Sequence, residues 1–125
     1  MSSVVLDTGA LIAYERRVRR VVVLVQRALA AGDRIVVPAG VVAQAWRDGR
    51  RQARLAWLLA DDLCEVVALD DAGARAAGQL LGLAGTADVV DASVAVVARQ
   101  RELRVLTSDP DDLRRLDSSL DVVAL

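Results

Sequence analysis

The chain has 125 residues, an apolar fraction of 54% and a formal net charge of -1. This length fits one domain with its own core, residues 1–125, and is too short for two. The near-neutral charge excludes both a strongly basic nucleic-acid binder and a disordered acidic tail. Any contact with nucleic acid must therefore come from local patches.

The basic residues are all of one kind: the 16 basic side chains are arginines, and the chain contains no Lys and no His. This excludes imidazole bases, Schiff-base lysines and His-based metal sites. The single cysteine, Cys64, has no disulfide partner and no base to activate it, so we expect a structural thiol. The N-terminal sequence lacks the basic start and sustained apolar run of a signal peptide, so we expect a cytoplasmic protein without membrane contact.

Short apolar runs alternate with helical periodicity along the chain. Strands are predicted at 4–6, 35–37, 65–68 and 104–107, with an edge strand at 121–124. A turn is predicted at Thr8 and Gly9, and helices are predicted at about 18–31, 38–48, 50–61, 72–83, 88–100 and 111–116. Continuous apolar strands that alternate with helices are typical of βα units, so we predict an α/β fold with a mainly parallel sheet covered on both faces.

Two predicted strands end at an acid. Asp7 closes the first strand in VVLDTG, and Asp109 follows the fourth in RVLTSDPDDL. If these strands are neighbours, both acids face the crevice outside the carboxyl ends of the sheet. Asp88 and Asp91, in GTADVVDASVAVVARQ, lie on one face at the start of a helix. Each acid also has a plain structural alternative as a turn or cap residue.

Asp91 is the acid that a capping role explains least well, because apolar residues surround it in the helical pattern. A buried carboxylate there requires an arginine, a backbone donor or a bound cation. Aspartates without His or Cys are typical ligands of Mg²⁺ or Mn²⁺, which support hydrolysis of phosphodiesters. Phosphatases and receiver domains with a nucleophilic Asp need a Lys, and no Gly-rich nucleotide motif follows the first strand.

Four stretches, in this order and spacing, resemble the PIN-domain ribonucleases and in particular the VapC-type toxins of bacterial toxin-antitoxin pairs. They are VVLDTGALIAY, VVPAGVVAQAW, GTADVVDASVAVVA and VLTSDPDDL. The resemblance implies a PIN-like parallel sheet of four or five strands with helices on both faces, and a homodimer. It also implies an endoribonuclease that cleaves an RNA substrate with Mg²⁺ or Mn²⁺, and a VapB-type antitoxin that blocks the site.

The resemblance also assigns site residues by position. Asp7, Asp91 and Asp109 match the family acids, and Asp88 matches an auxiliary acid one turn before Asp91. Asp7, Asp88, Asp91 and Asp109 are thus the expected metal ligands. Asp112 is a candidate for an outer position, although a solvated acid at a helix start is the plainer reading. Thr8 and Thr107 match hydroxyl positions that hold the carboxylates in place.

The departure from the family is Gln44, which stands where the family has Glu. An amide oxygen can coordinate a metal or orient a water, but it brings no charge and cannot act as a base. The catalytic set predicted from the resemblance is Asp7, Gln44, Asp91 and Asp109. The alternative is a catalytically impaired PIN module that binds antitoxin, RNA or both, and a glutamine without any role is a third reading.

A group of arginines accompanies the two tryptophans after Gln44. One reading is a surface that contacts phosphates and stacks bases of single-stranded RNA, and the other is a solvated helix face with the tryptophans in the core or at an interface. The residues are Arg47, Arg50, Arg51 and Arg54 with Trp46 and Trp57.

Overall fold

The computed structural model describes residues 3–125. Short strands alternate with helices over this range. The strands are β1 (Val4–Leu6), β2 (Ile35–Pro38), β3 (Cys64–Val67), β4 (Arg104–Thr107) and β5 (Val122–Ala124). The helices are α1 (Thr8–Glu15), α2 (Arg19–Ala30), α3 (Ala39–Ala45), α4 (Ala53–Ala60), α5 (Asp71–Ala84), α6 (Val89–Arg101) and α7 (Pro110–Leu116).

The five strands form one sheet in the order β3-β2-β1-β4-β5, and every neighbouring pair is parallel. Val4 of β1 lies beside Ile35 of β2 on one side and beside Arg104 of β4 on the other. The predicted parallel α/β sheet is confirmed, with five strands. Because β1 and β4 are neighbours, the residues that follow them lie at the same edge of the sheet.

Helices cover both faces of the central strands. Val4, Val5 and Leu6 are at most 2% exposed, although successive strand side chains point to opposite faces. Helix α6 is itself buried on all sides from Ala92 to Ala98, because the sheet packs on one side of it and α5 on the other. Its first turn, which carries Asp91, therefore enters the edge of the core.

The prediction of a turn at Thr8 and Gly9 is wrong, because α1 begins there. Asp7 caps this helix, with its Oδ1 accepting a hydrogen bond from the backbone N of Ala10 at 2.8 Å. The cap satisfies one of the free amides at the helix start. Leu11, like Ala10, is fully buried against the sheet, so the short helix is held mainly by packing.

Helices α3 and α4 are shorter than predicted, since the chain is extended at Trp46 and α4 begins only at Ala53. Gln52 ties this link together. Its Oε1 accepts from the backbone N of Arg47 at 2.7 Å, and its Nε2 donates to the carbonyl of Ala45 at 2.9 Å. These side-chain bonds replace the helical hydrogen bonds that a longer α3 would have made.

Between residues 3 and 125, no single helix is long and apolar enough to cross a membrane. Helices α5 and α6 reach the required length and composition only as a pair bent by 111°.

Candidate active site

Asp7 lies at the carboxyl end of β1 and is only 4% exposed. Its Oδ2 accepts a hydrogen bond from the hydroxyl of Thr107 at 2.5 Å, while its Oδ1 caps α1. Burial raises the pKa of Asp7, and the bonds from Thr107 and from the backbone of Ala10 and Ser108 oppose the rise. The carboxylate is thus fixed in place although burial disfavours its charge.

Thr107 connects the ends of the two central strands. Its hydroxyl donates to Asp7 and accepts a hydrogen bond from the backbone N of Asp109 at 2.8 Å. Thr107 was predicted to hold a carboxylate, and the structure has this contact. Thr8, the other hydroxyl with that prediction, donates instead to Oε1 of Gln44.

The loop after β4 packs directly against the start of α1. A Cβ on Gly9 would lie 1.8 Å from the Oγ and 2.7 Å from the Cβ of Ser108. Only glycine fits at this position without displacing the loop. This contact sets how closely the loop that carries Asp109 approaches Asp7.

Asp88 and Asp91 lie at the start of α6. Asp88 is the N-cap, and its Oδ1 accepts from the backbone N of Asp91 at 3.0 Å. The capping alternative for Asp88 is therefore correct as a description of its local contact. Asp91 is half-buried, and its carboxylate projects from the first turn, where the helix dipole favours negative charge.

The acids repel one another across the site. The pKa of Asp91 is raised to about 6, first by burial and then by the charges of Asp88, Asp7, Asp112 and Asp109. Asp88, Asp91 and Asp112 also line one cavity, and Thr107 links Asp7 to the backbone of Asp109, so these acids lie at the same edge of the sheet. The structure therefore places the four predicted metal ligands and Asp112 at one site.

Asp109 is exposed, and a hydrogen bond with Asp112 is the main cause that raises its pKa. A carboxylate this close to another acid holds its negative charge less readily, which raises the pKa of Asp109. The ion pairs formed within residues 3–125 include none of Asp7, Asp88, Asp91 and Asp109. Asp91 was expected to need an arginine, a backbone donor or a bound cation. Among the residues that the structure describes, no arginine forms an ion pair with it.

The donor chemistry of this site fits a hard divalent cation. Within residues 3–125, no three Asp, Glu, Cys or His side chains are arranged to hold a metal ion by themselves. Mg²⁺ does not require such a cage, since it binds one or two carboxylates and retains several waters. A partly exposed group of acids that repel one another and form no ion pair within residues 3–125 matches this mode of binding.

Gln44 lies on α3 at the border of the site, and its side chain is exposed. Its amide oxygen accepts a hydrogen bond from Thr8, the residue that directly follows Asp7 in the sequence. Gln44 also lines a cavity of about 220 Å³ between α1, α3 and α4, together with Arg16 and Arg47. The fourth corner of the predicted catalytic set is therefore occupied by a neutral amide.

A family model described as the PIN domain matches residues 4–118. The chain belongs to the PIN domain family. PIN domains are generally nucleases, which places this chain in the nuclease class. Among curated proteins, no sequence relative is found.

Solved structures agree with this PIN fold. VapBC2 from Rickettsia felis bound to a DNA fragment from its promoter superposes with a TM-score of 0.72, at 16% identity and 98% coverage of both chains. FitAcB from Neisseria gonorrhoeae gives a TM-score of 0.66 at 21% identity, covering 95% of both chains. VapBC-5 from Mycobacterium tuberculosis, a member of the VapBC family of toxin-antitoxin systems, gives 0.56 at 27% identity, covering 100% of this chain and 98% of the other. The resemblance to VapC-type PIN domains is confirmed.

Sequence reasoning missed two features of this PIN domain. Arg115 lines a cavity with Asp88, Asp91 and Asp112, and in sequence it is one of several charges on a short helix. The contact between Gly9 and Ser108 is also unpredictable, because it joins positions far apart in the chain.

The two tryptophans and the cysteine lie outside the acid site. Trp57, which we expected in the core or at an interface, is 77% exposed, so the core is wrong and the interface stays a prediction; Trp46 is 37% exposed. Burial and then the charge of Asp61 raise the pKa of Cys64 to about 11, as expected for an unreactive thiol.

Proposed function

We propose that this PIN domain is a divalent-metal-dependent endoribonuclease that cleaves phosphodiester bonds of RNA. The observation that supports this most strongly is the convergence of acids on Asp91, whose pKa is raised to about 6, first by burial and then by repulsion from Asp88, Asp7, Asp112 and Asp109. A bound Mg²⁺ or Mn²⁺ would relieve that repulsion. It would also supply a water of lowered pKa and positive charge opposite the phosphate.

The side chains of this chain have distinct tasks in the proposal. Asp7, Asp91 and Asp109 would hold the ion with help from Asp88, one or two of them directly and the others through its waters, and Thr107 keeps Asp7 in one orientation. Since the chain contains no His and no Lys, a carboxylate has to receive any proton that the reaction releases within the site.

We propose further that the chain is the toxin of a pair, with a VapB-type antitoxin as its inhibitor and a homodimer as its own assembly. Support comes from the structural relatives, which include complexes named VapBC and FitAcB. The clustered acids would attract basic side chains of an inhibitor in the same way as they attract a cation.

A second candidate is a catalytically impaired PIN module that acts by binding RNA, antitoxin or both. The observation that favours it is Gln44, whose amide oxygen is engaged by Thr8 and carries no charge. Loss of one carboxylate weakens the attraction for a cation and removes a possible base.

Cleavage of structured RNAs with Mn²⁺ tests both candidates. The purified chain is compared with Asp7→Asn, which removes a buried ligand, and with Gln44→Glu. Cleavage by the wild type and by Gln44→Glu at equal rates, and its loss in Asp7→Asn, supports the endoribonuclease and rejects the impaired module. Activity only in Gln44→Glu rejects the first candidate.

A further inference from the structure

Arg115 lies beside the acids without neutralising them. It belongs to the last turn of α7 and is exposed. Its side chain lines a cavity of about 160 Å³, which is formed by Thr86, Asp88, Asp91, Asp112, Arg115 and Leu116. The loop between α5 and α6, the start of α6 and helix α7 thus enclose one cation and three carboxylates.

The charge of Arg115 is not used in an intramolecular ion pair with any residue that the structure describes. Within residues 3–125, Arg115 forms no ion pair and no side-chain hydrogen bond, a property that it shares with Arg114. A guanidinium has five donors in a planar fork that matches the oxygens of a phosphate. A cation beside three acids and without a partner is available to an anionic ligand.

We propose that Arg115 binds a backbone phosphate of an RNA strand that crosses the cavity it lines with Asp88 and Asp91. This assignment rests on the proposed function, since it assumes that RNA crosses the acids. A polyanion that approaches Asp88 and Asp91 is repelled, and a cation that lines the same cavity offsets part of that repulsion. Arg115 is thus a substrate-binding residue at the α7 side of the site, separate from Gln44 and the cavity between α1, α3 and α4.

Helix α7 provides a matched control. Arg114 is the preceding residue, is also exposed, and does not line this cavity. Arg114→Gln and Arg115→Gln remove the same charge from the same helix turn. Any difference between them therefore reports the cavity and not the net charge of the protein.

Binding is measured first without cleavage, by fluorescence anisotropy of a labelled single-stranded RNA of mixed sequence in EDTA at stepped salt concentrations. For Arg115→Gln we expect about threefold to tenfold weaker binding, and a slope of log affinity against log salt that is smaller by about 0.7. Arg114→Gln should change the affinity less than about twofold. Arg115→Lys should recover most of the salt slope, because it restores the charge.

Cleavage with Mn²⁺ gives the second readout, in which Arg115→Gln should raise KM more than it lowers kcat. Equal effects of Arg114→Gln and Arg115→Gln on binding and KM overturn the assignment. A purely structural role predicts a lower melting temperature with unchanged RNA affinity, and that result also overturns it.

The outcomes separate this assignment from the proposed function. RNA binding that depends on Arg115, without cleavage under any metal condition, rejects the endoribonuclease and retains the phosphate site. Cleavage with a KM that does not change in Arg115→Gln rejects the phosphate site and retains the endoribonuclease. If the wild type binds no RNA in EDTA or in Mn²⁺, both are rejected.

Discussion

At the scale of single residues, Gln44 is the neutral member of the proposed cation site. It is exposed, its oxygen accepts from Thr8, and it contributes no charge to the acids nearby. An added carboxylate about 4 Å from a cation is worth ~4 kcal/mol at an effective dielectric near 20, before screening by water. Even a small part of that energy changes metal affinity measurably.

We expect Gln44→Glu to bind Mn²⁺ about tenfold more tightly, which corresponds to ~1.4 kcal/mol. Isothermal titration calorimetry of the purified proteins measures this. Gln26→Glu is the matched control, because Gln26 is exposed on α2 and adds the same charge outside the site. Equal affinities for Gln44→Glu and Gln26→Glu would place Gln44 outside the metal site.

The raised pKa of Asp91 predicts how stability depends on pH when no divalent ion is present. The pKa is about 6 in the folded chain against an ordinary value of 3.8, so the folded chain binds this proton more tightly than the unfolded chain. The contribution of Asp91 to stability should therefore be fully present below about pH 4, decrease as the pH rises to about 6, and change no further above it.

Asp91→Asn removes this loss, because the amide is never charged. At pH 7.5 in EDTA the variant should be more stable than the wild type by about 1 kcal/mol, a value reduced for the solvent that screens a half-exposed group. Urea unfolding from pH 4 to 7.5 measures the slope. A wild type and variant with parallel pH profiles would mean that Asp91 is not desolvated.

At the scale of secondary structure elements, the site depends on how α1 meets the loop after β4. Gly9 permits this contact, since any Cβ there would overlap Ser108. Overpacking of this kind typically costs about 1–3 kcal/mol and moves the backbone. The loop also carries Asp109, so the displacement would change the distance between two proposed ligands.

Gly9→Ala should therefore lower the free energy of unfolding by about 1–3 kcal/mol and reduce Mn²⁺ affinity. Gly78→Ala is the control, because a Cβ at Gly78 meets nothing within 4 Å and the residue lies inside α5. That control should stabilise the chain by about 0.5–1 kcal/mol. If both variants bind Mn²⁺ like the wild type, the contact between α1 and the loop does not shape the site.

The elements also indicate what the sequence could predict. The strands and most helices were predictable because apolar runs and helical spacing are local signals. Helix α1 was not, since its short apolar pattern directly follows the strand and the pair Thr8 and Gly9 resembles a turn. Tertiary packing of Leu11 against the sheet stabilises this helix, and that packing is invisible in a local window.

The site was predictable only in part for the same reason. The meeting of Asp7 and Asp109 followed from strand ends once β1 and β4 were assumed to be neighbours, and the sheet order has them adjacent. Arg115 and Ser108 reach the site through the packing of α7 and its preceding loop. No spacing in the sequence records those contacts, so they required the structure.

At the scale of the whole molecule, large apolar side chains remain exposed. Trp57 is 77% exposed on α4 and Leu83 is 88% exposed on α5. Exposed aromatic and aliphatic groups of this size often mark protein interfaces. We expect light scattering to give twice the mass of one chain, as the proposed homodimer requires, and a monomer at micromolar concentration would contradict it.

The central claim is that Asp7, Asp91 and Asp109 form one cation site at the carboxyl edge of the sheet. Its most direct test is the free energy of unfolding at pH 7.5 with and without Mn²⁺, for the wild type and Asp91→Asn. At an Mn²⁺ concentration of about 100 times the dissociation constant, the wild type should gain about 2.7 kcal/mol, and the variant should gain far less. An equal gain in both proteins, or none in the wild type, would contradict the claim.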